Sequence, residues 1–159
     1  MSKAAKSARQ FWLMKSEPDC FSLDDLKRTK TNPWDGVRNY QARNYMRDQM
    51  RVGDGVLFYH SSCAVPGIAG LAEVARSAYP DYTAWDTRSD HYDPKASPDN
   101  PIWQMVDVRY VRHFRHFVPL DELRAHPALT DMLVLRRGQR LSIQPVVPEH
   151  YTVVVALGQ

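Results

Sequence analysis

Residues 102–117 restrict the possible folds of this chain most strongly. Apolar and charged residues alternate over residues 106–110, which is the pattern of a strand with one buried face. The alternation changes phase near Val111, and such a change predicts a β-bulge that bends the strand. A long bent strand among short strands and short helices predicts an α+β domain around a small, partly open barrel.

The other strands are expected to be short. Apolar and β-branched runs predict strands at residues 11–15, 56–60 and 67–75, and a turn at Arg136 feeds a further strand. Residues 77–101 are rich in Pro, Asp, Ser and Tyr and have little periodicity. They are predicted to form one long loop, and loops of that length are often functional.

Short helices separate these strands. Ser22 and Asp25 have the spacing of a capping box, which predicts a helix that ends near Thr29. A second short helix is predicted from Pro119. Residues 148–157 fit either a closing helix or a strand, because their valine run is compatible with both.

The length of 159 residues is sufficient for one domain with its own core. We expect a disordered basic tail at residues 1–9 and a single domain at residues 10–159. Neither a secretory leader nor an apolar run of membrane-spanning length is recognisable. The two cysteines lack the density of a disulfide scaffold. These features predict a cytoplasmic protein, or a nuclear one in a eukaryote, and the net charge of +3 permits contact with a polyanion.

The stretch from Trp34 to Arg43 carries the clearest functional signal. Gly36 permits a turn with positive φ, and Asn39 is a good N-cap for the helix that follows. The turn then leaves the side chains of Trp34, Arg38 and Asn39 available to contact a ligand. An indole beside a guanidinium and an amide suits a flat ligand with polar edges, such as a nucleobase. A tryptophan in this position can equally be a core anchor before the helix.

Six ordered motifs resemble the EVE domain family, and together they span almost the whole chain. They are Trp12–Pro18, Trp34–Arg43, Phe58–Ser61, Gly67–Gly70, Tyr92–Lys95 and Leu141–Pro145. The resemblance implies a PUA-like pseudo-barrel of about five or six mostly antiparallel strands surrounded by short helices, related to the YTH readers of methylated adenine. It also implies a non-catalytic module that takes a flipped, modified base, with modified cytosine in DNA favoured and RNA possible, into an aromatic pocket.

The resemblance and the residue types together give a set of candidate contacts. The base-binding candidates are Trp12, Lys15, Ser16, Trp34, Arg38, Asn39, Tyr59, His60, Ser61, Trp103, Ser142, Gln144 and Pro145. Arg136, Arg137 and Arg140 are candidates for contact with the nucleic-acid backbone, or are surface charges. We expect no metal and no cofactor, and a monomer whose partner is nucleic acid rather than a membrane.

Two other functions remain open from the sequence. Lys15 and Glu17 lie two residues apart, share a face of a strand, and could serve a small amidohydrolase acting on a modified nucleoside. His60 and Ser61 lack the Gly-x-Ser-x-Gly elbow of a serine hydrolase. A protein-interaction scaffold with a vestigial pocket is the third possibility.

Overall fold

The computed structural model describes residues 8–159. Six strands form one sheet and short helices cover both of its faces. The strands are β1 (Phe11–Ser16), β2 (Thr31–Pro33), β3 (Gly55–His60), β4 (Gly67–Pro80), β5 (Gln104–Pro119) and β6 (Ile143–Val146). The helices are α1 (Leu23–Thr29), α2 (Tyr40–Asn44), which continues as a π-helix (Tyr45–Gln49), α3 (Leu120–Ala125) and α4 (Pro148–Leu157). Single 3₁₀ turns occur at Tyr82–Trp85, Pro127–Leu129 and Leu133–Leu135.

The strand order is β2-β5-β4-β3-β1-β6, and only the β1–β3 pair is parallel. The predicted α+β fold with about five or six mostly antiparallel strands is therefore confirmed, and the number is six. The sheet is open rather than a closed barrel, with β2 and β6 at its edges. Because β1 and β3 run parallel, their carboxyl ends meet at the same edge of the sheet.

Side chains alternate across the sheet and build a core on each face. Trp12 and Met14 on β1 pack on the side that carries α1 and α2, while Leu13 packs on the side of α3 and α4. On the first face Ala42, Met46 and Met50 form the buried stripe of α2 and of the π-helix that continues it. A third small cluster around Trp103 lies beneath the long loop.

The predicted bulge in β5 is confirmed. Leu71 pairs with Arg112 and Ala72 pairs with Tyr110, which leaves Val111 without a partner in the ladder. This extra residue accounts for the change of phase in the sequence, because two residues on β5 oppose one on β4.

The helix caps follow the sequence signals. The Ser22 hydroxyl accepts from Asp25 N–H at 3.1 Å and the Asp25 carboxylate accepts from Ser22 N–H at 2.8 Å, which confirms the capping box. Residues 148–157 are helical, because Pro148 in the first turn has the φ that a helix requires. The valine run at 153–155 fits this helix and buries Val154.

The end of one strand differs from the sequence prediction. Strand β4 continues to Pro80, so residues 77–80 belong to the sheet rather than to the loop, where they pair with the start of β5. Residues 1–7 of the predicted tail lie outside the described residues. Arg9 is described, and its Nε donates to Gly53 O at 2.8 Å. Over residues 8–159 the structure has no helix with the length and hydropathy needed to span a membrane.

Candidate functional site

A pocket of about 580 Å³ opens where β1 ends and α1 begins. It combines apolar walls with polar groups from four separate segments of the chain. Its lining residues are Lys15, Ser16, Glu17, Cys20, Phe21, Asn32, Pro33, Trp34, Asp35, Gly36, Val37, Arg38, His91 and Ser142. The volume is within the range of small-molecule sites.

Trp34 forms one wall of the pocket and also belongs to the core. Its side chain meets Phe58 edge to face at 5.6 Å between ring centroids, and its backbone N–H donates to Val106 O at 2.7 Å. Only 8% of the residue is exposed. The two sequence interpretations of Trp34 are therefore compatible, because packing against Phe58 fixes the ring that the pocket presents.

Arg38 connects the pocket to the long loop. Its Nη1 pairs with the fully buried carboxylate of Asp81 at 3.0 Å, and its Nε and Nη2 donate to His91 O at 3.0 and 2.7 Å. Burial opposes the ionisation of Asp81, but hydrogen bonds from Thr83, Gly36 and Arg38 together hold the pKa of its carboxyl below the usual value. Arg38 thus positions the loop, and most of the N–H donors of its guanidinium already have partners within the protein.

Gly36 makes the close turn beneath this loop. It has φ +81°, and its N–H donates to Asp81 Oδ2 at 2.8 Å. The His91 ring lies directly over it, so a Cβ at this position would be 2.6 Å from His91 Cε1 and Nε2. Glycine is therefore required both for the backbone conformation and for the approach of the imidazole.

The end of β1 supplies the pocket with three polar residues, Lys15, Ser16 and Glu17. Lys15 N–H donates to Ser142 O at 2.8 Å, which joins the ends of β1 and β6, and the Ser16 hydroxyl donates to Phe21 O at 2.5 Å. Burial lowers the pKa of the Lys15 ammonium. Its Nζ lies 5.9 Å from the centroid of the Tyr59 ring.

Asp35 is a rim residue with unused hydrogen-bonding capacity. Within the described chain its carboxylate accepts no hydrogen bond from another residue. Desolvation at the pocket, followed by the nearby Asp81 carboxylate, raises the pKa of Asp35. An acceptor in this state is suited to a ligand that brings its own N–H donor.

Of the base-binding candidates, the structure places Lys15, Ser16, Trp34, Arg38 and Ser142 around this pocket. Trp12, Gln144 and Pro145 instead line a second cavity of about 710 Å³ near the other end of β1. The strand register explains the difference, because Lys15 is opposite Ser142 whereas Leu13 and Trp12 are opposite Gln144 and Pro145. Each further residue along antiparallel β6 therefore lies farther from the mouth of the pocket.

These three residues have structural partners instead. The Trp12 indole donates from Nε1 to the buried Asp54 carboxylate at 3.0 Å, and Gln144 Nε2 donates to Leu141 O at 2.9 Å. Pro145 occupies a position on edge strand β6 whose N–H would point away from β1, where a proline costs no ladder hydrogen bond. The second cavity is larger, but it holds fewer of the family motif residues, and we take the first as the functional site.

The end of β3 lies beside the pocket without lining it. Alternation turns the Tyr59 ring to the opposite face of the sheet, where it is buried. His60 Nε2 accepts from Leu23 N–H at 3.2 Å, so this histidine caps α1 in its neutral form, and burial lowers its pKa. Ser61 N–H donates to Ser16 O at 2.9 Å. These residues support the mouth of β1 through hydrogen bonds and packing.

Two further candidates lie behind the pocket. The Asn39 side chain accepts from Ala42 N–H at 2.9 Å, which confirms its predicted role as N-cap of α2. Trp103 is buried under the long loop, and its Nε1 donates to Asp93 Oδ2 at 2.7 Å. Both side chains therefore have partners within the protein.

The three candidate backbone arginines lie on the exposed loop before β6. Arg136 lines the second cavity, whereas Ser142 at the end of the same loop lines the pocket. Arg137 and Arg140 are located between them. The loop thus carries positive charge along the surface next to the pocket.

Sequence reasoning did not single out eight of the lining residues as ligand contacts: Cys20, Phe21, Asn32, Pro33, Asp35, Gly36, Val37 and His91. Asp35 and Gly36 lie within the stretch from Trp34 to Arg43. The position of Asp35, a charged residue between a tryptophan and a turn glycine, was the sequence signal that could have identified it as a ligand contact. His91 is more than fifty residues away along the chain, and its contacts with Arg38 and Gly36 bring it to the pocket.

The chemistry of the pocket favours binding a neutral, polar-edged molecule. Arg38 is already paired with Asp81. Glu17 and Asp35 also line the pocket, so the lining offers no excess of positive charge for a phosphate. Over residues 8–159 no group of three His, Cys, Asp or Glu side chains is arranged to hold a metal ion.

Comparison with known proteins identifies the family. The EVE domain matches residues 10–157. Human thymocyte nuclear protein 1 is 46% identical over 171 residues, which cover 96% of this chain and 75% of the human protein.

Solved structures agree with that match. A hypothetical protein from Leishmania major superimposes with a TM-score of 0.91 at 48% identity, covering 95% of both chains. Human THYN1 protein, solved in complex with DNA containing 5-methylcytosine, superimposes with a TM-score of 0.88 at 45% identity, covering 94% of this chain and 98% of that one. The resemblance seen in the sequence motifs is confirmed, and the chain belongs to the EVE domain family.

Proposed function

We propose that this protein binds nucleic acid that contains a modified cytosine, and that the modified base leaves its stack to enter the pocket beside Trp34. The observation that carries the proposal is the likeness, over 94% of the chain, to a human protein solved with 5-methylcytosine DNA. No group in the pocket is required to react with the base, so the module acts as a reader.

The pocket has the parts that such a reader needs. The Trp34 ring is held by Phe58 and offers an aromatic surface to the base. Bases that stack on aromatic side chains gain about 1–3 kcal/mol each. Extrusion from a duplex costs a few kcal/mol, so single-stranded ligands are expected to bind more tightly than duplexes of the same sequence.

A titration by tryptophan fluorescence tests the proposal. We expect saturable quenching by short single strands with one 5-methylcytosine or another modified cytosine, and weaker quenching by the same strands with plain cytosine. DNA and RNA versions of each strand identify the preferred nucleic acid. A salt series counts the phosphate contacts, including those proposed for Arg136, Arg137 and Arg140. Equal affinity for modified and plain strands would contradict the proposal.

We expect Asp35 to decide between cytosine and thymine. The exocyclic amino group of cytosine donates a hydrogen bond, whereas thymine has an acceptor at that position, which the Asp35 carboxylate would repel. The Asp35→Asn variant offers both a donor and an acceptor and can pair with either base. Its preference for 5-methylcytosine over thymine should fall by about 1–3 kcal/mol relative to the wild type. Binding of matched oligonucleotides that carry one base or the other measures this preference.

Glu17→Gln is the control for Asp35, because Glu17 also lines the pocket and carries the same charge. We expect this variant to retain the preference for 5-methylcytosine over thymine. Equal loss of preference in both variants would show that total pocket charge, rather than Asp35, determines the choice of base.

A second candidate function is hydrolysis of a modified nucleoside. It is favoured by the presence of Lys15 and Glu17 in one pocket and by the lowered pKa of Lys15. Mass spectrometry of nucleosides incubated with the protein separates the two functions. A reader returns the ligand unchanged, whereas product formation that is lost in Lys15→Ala would establish hydrolysis.

A further inference from the structure

Tyr40 is an exposed aromatic residue at the start of α2, two residues after Arg38. It is 58% exposed although its ring stacks on Trp103, with ring centroids 4.8 Å apart and an interplanar angle of 28°. Exposure of this extent on a stacked tyrosine means that one face of the ring is covered and the other is in contact with solvent.

The residue beneath Tyr40 is held firmly. Trp103 is 4% exposed, donates through Nε1 to Asp93 at 2.7 Å, and packs with Ala84 and Ala96. The hydrogen bond from Trp103 is the main cause of the lowered pKa of Asp93. Tyr40 therefore rests on a fixed support, and little conformational freedom is lost when a flat ligand covers it.

The neighbouring Arg43 leaves the outer face of Tyr40 open. The Arg43 guanidinium carbon lies 4.9 Å from the Tyr40 ring centroid and 6.0 Å from that of Trp103. A cation on the outer face of Tyr40 would be about twice as far from the Trp103 centroid as the Tyr40 centroid is. Arg43 is much nearer than that, at 6.0 Å, so it lies beside the two stacked rings. Its Nη1 donates to Ile102 O at 2.9 Å, which holds it there.

Contacts beneath the surface connect Tyr40 to the pocket. The Arg38 guanidinium carbon lies 5.5 Å from the Trp103 ring centroid, and Arg38 lines the pocket. The Trp103 ring thus contacts both Arg38 at the pocket rim and Tyr40. Tyr40 also follows the pocket residue Arg38 by only two positions, so their Cα atoms are at most about 7 Å apart.

We propose that the outer face of Tyr40 stacks on the nucleobase next to the one that enters the pocket. The inference rests on the proposed function and adds a second binding position to it. Stacking on a tyrosine is tolerant of sequence, so this position contributes affinity for any flanking base. It also explains why an aromatic residue remains exposed in a region where Trp103, the neighbouring aromatic, is buried.

The experiment removes the flanking base without removing its phosphate. Single strands with one 5-methylcytosine are prepared with a thymine on both sides, or with an abasic site on one side and then on the other. For the wild-type protein, one of the two abasic strands should bind about five- to 150-fold more weakly than the intact strand. Tyr40→Leu keeps an apolar cover on Trp103 but has no aromatic face, and it should bind the intact and abasic strands equally. Tyr40→Phe should behave as the wild type.

Free 5-methyldeoxycytidine is the control ligand, because it occupies only the pocket. Tyr40→Leu should bind it as the wild type does, and a loss here would overturn the proposal by showing that Tyr40 acts through the pocket. The same dependence on the flanking base in wild type and Tyr40→Leu would also overturn it. Failure of the reader function is a separate result, namely equal wild-type affinity for modified and plain strands.

Discussion

Replacement of Arg38 by alanine is expected to lower the free energy of unfolding by about 3–5 kcal/mol. The cause is the Asp81 carboxylate, which is 0% exposed and pairs with Arg38 at 3.0 Å. Without the guanidinium this charge remains buried with only the hydrogen bonds from Gly36 and Thr83. Unfolding in urea followed by circular dichroism measures the loss.

Arg47→Ala is the matched control. Arg47 pairs with Asp48 through two hydrogen bonds of 2.8 and 2.9 Å, but both side chains are about half exposed. Exposed pairs contribute about 0–1 kcal/mol, so this variant should be nearly as stable as the wild type. A similar small loss in both variants would contradict the role given to the buried pair. Arg38→Lys should fall between them, because an ammonium lacks the fork that reaches both Asp81 and His91.

The Arg38 contacts also show what the sequence could not indicate about this residue. Arg38 was expected to contact the ligand because it stands beside Trp34 and Asn39. Its partners Asp81 and His91 come from a segment without periodicity, so no local pattern links them to Arg38. Long-range ion pairs of this kind become visible only once the loop is placed against the sheet.

Local structure was more accessible from sequence, since its causes are local. The capping box at Ser22, the N-cap at Asn39 and the bulge at Val111 each depend on residues within a few positions of one another. The helix at residues 148–157 remained ambiguous because a valine run fits a strand equally well. Pro148 in its first turn was the signal that decides the case.

Strand register separated the candidates that line the pocket from those that do not. Trp12 and Gln144 belong to the same motifs as Lys15 and Ser142, and motif membership cannot tell them apart. At about 3.3 Å per residue, Trp12 lies roughly 10 Å along β1 from Lys15. A motif can thus combine residues that form the pocket with residues that hold its supporting strand, as Trp12 does through Asp54.

Replacement of Gly36 by alanine is expected to cost about 2–4 kcal/mol of unfolding free energy and to weaken the proposed base binding. Part of the cost, about 1 kcal/mol, comes from placing an L side chain at φ +81°. The rest comes from the new Cβ, which would be 2.6 Å from the His91 ring and would force this part of the pocket lining to move. Overpacking of this kind typically costs about 1–3 kcal/mol.

Gly138→Ala separates these two contributions, because Gly138 has φ +75° but a Cβ added there would have no atom of the described chain within 4 Å. It should show the backbone cost alone and bind the modified base as the wild type does. Relief of the steric cost is tested with the Gly36→Ala/His91→Ala double variant, in which alanine at position 36 should cost less than it does beside His91. Equal losses for Gly36→Ala and Gly138→Ala, or no relief in the double variant, would show that the His91 ring moves aside freely. The imidazole would then be a mobile cover rather than a fixed wall of the pocket.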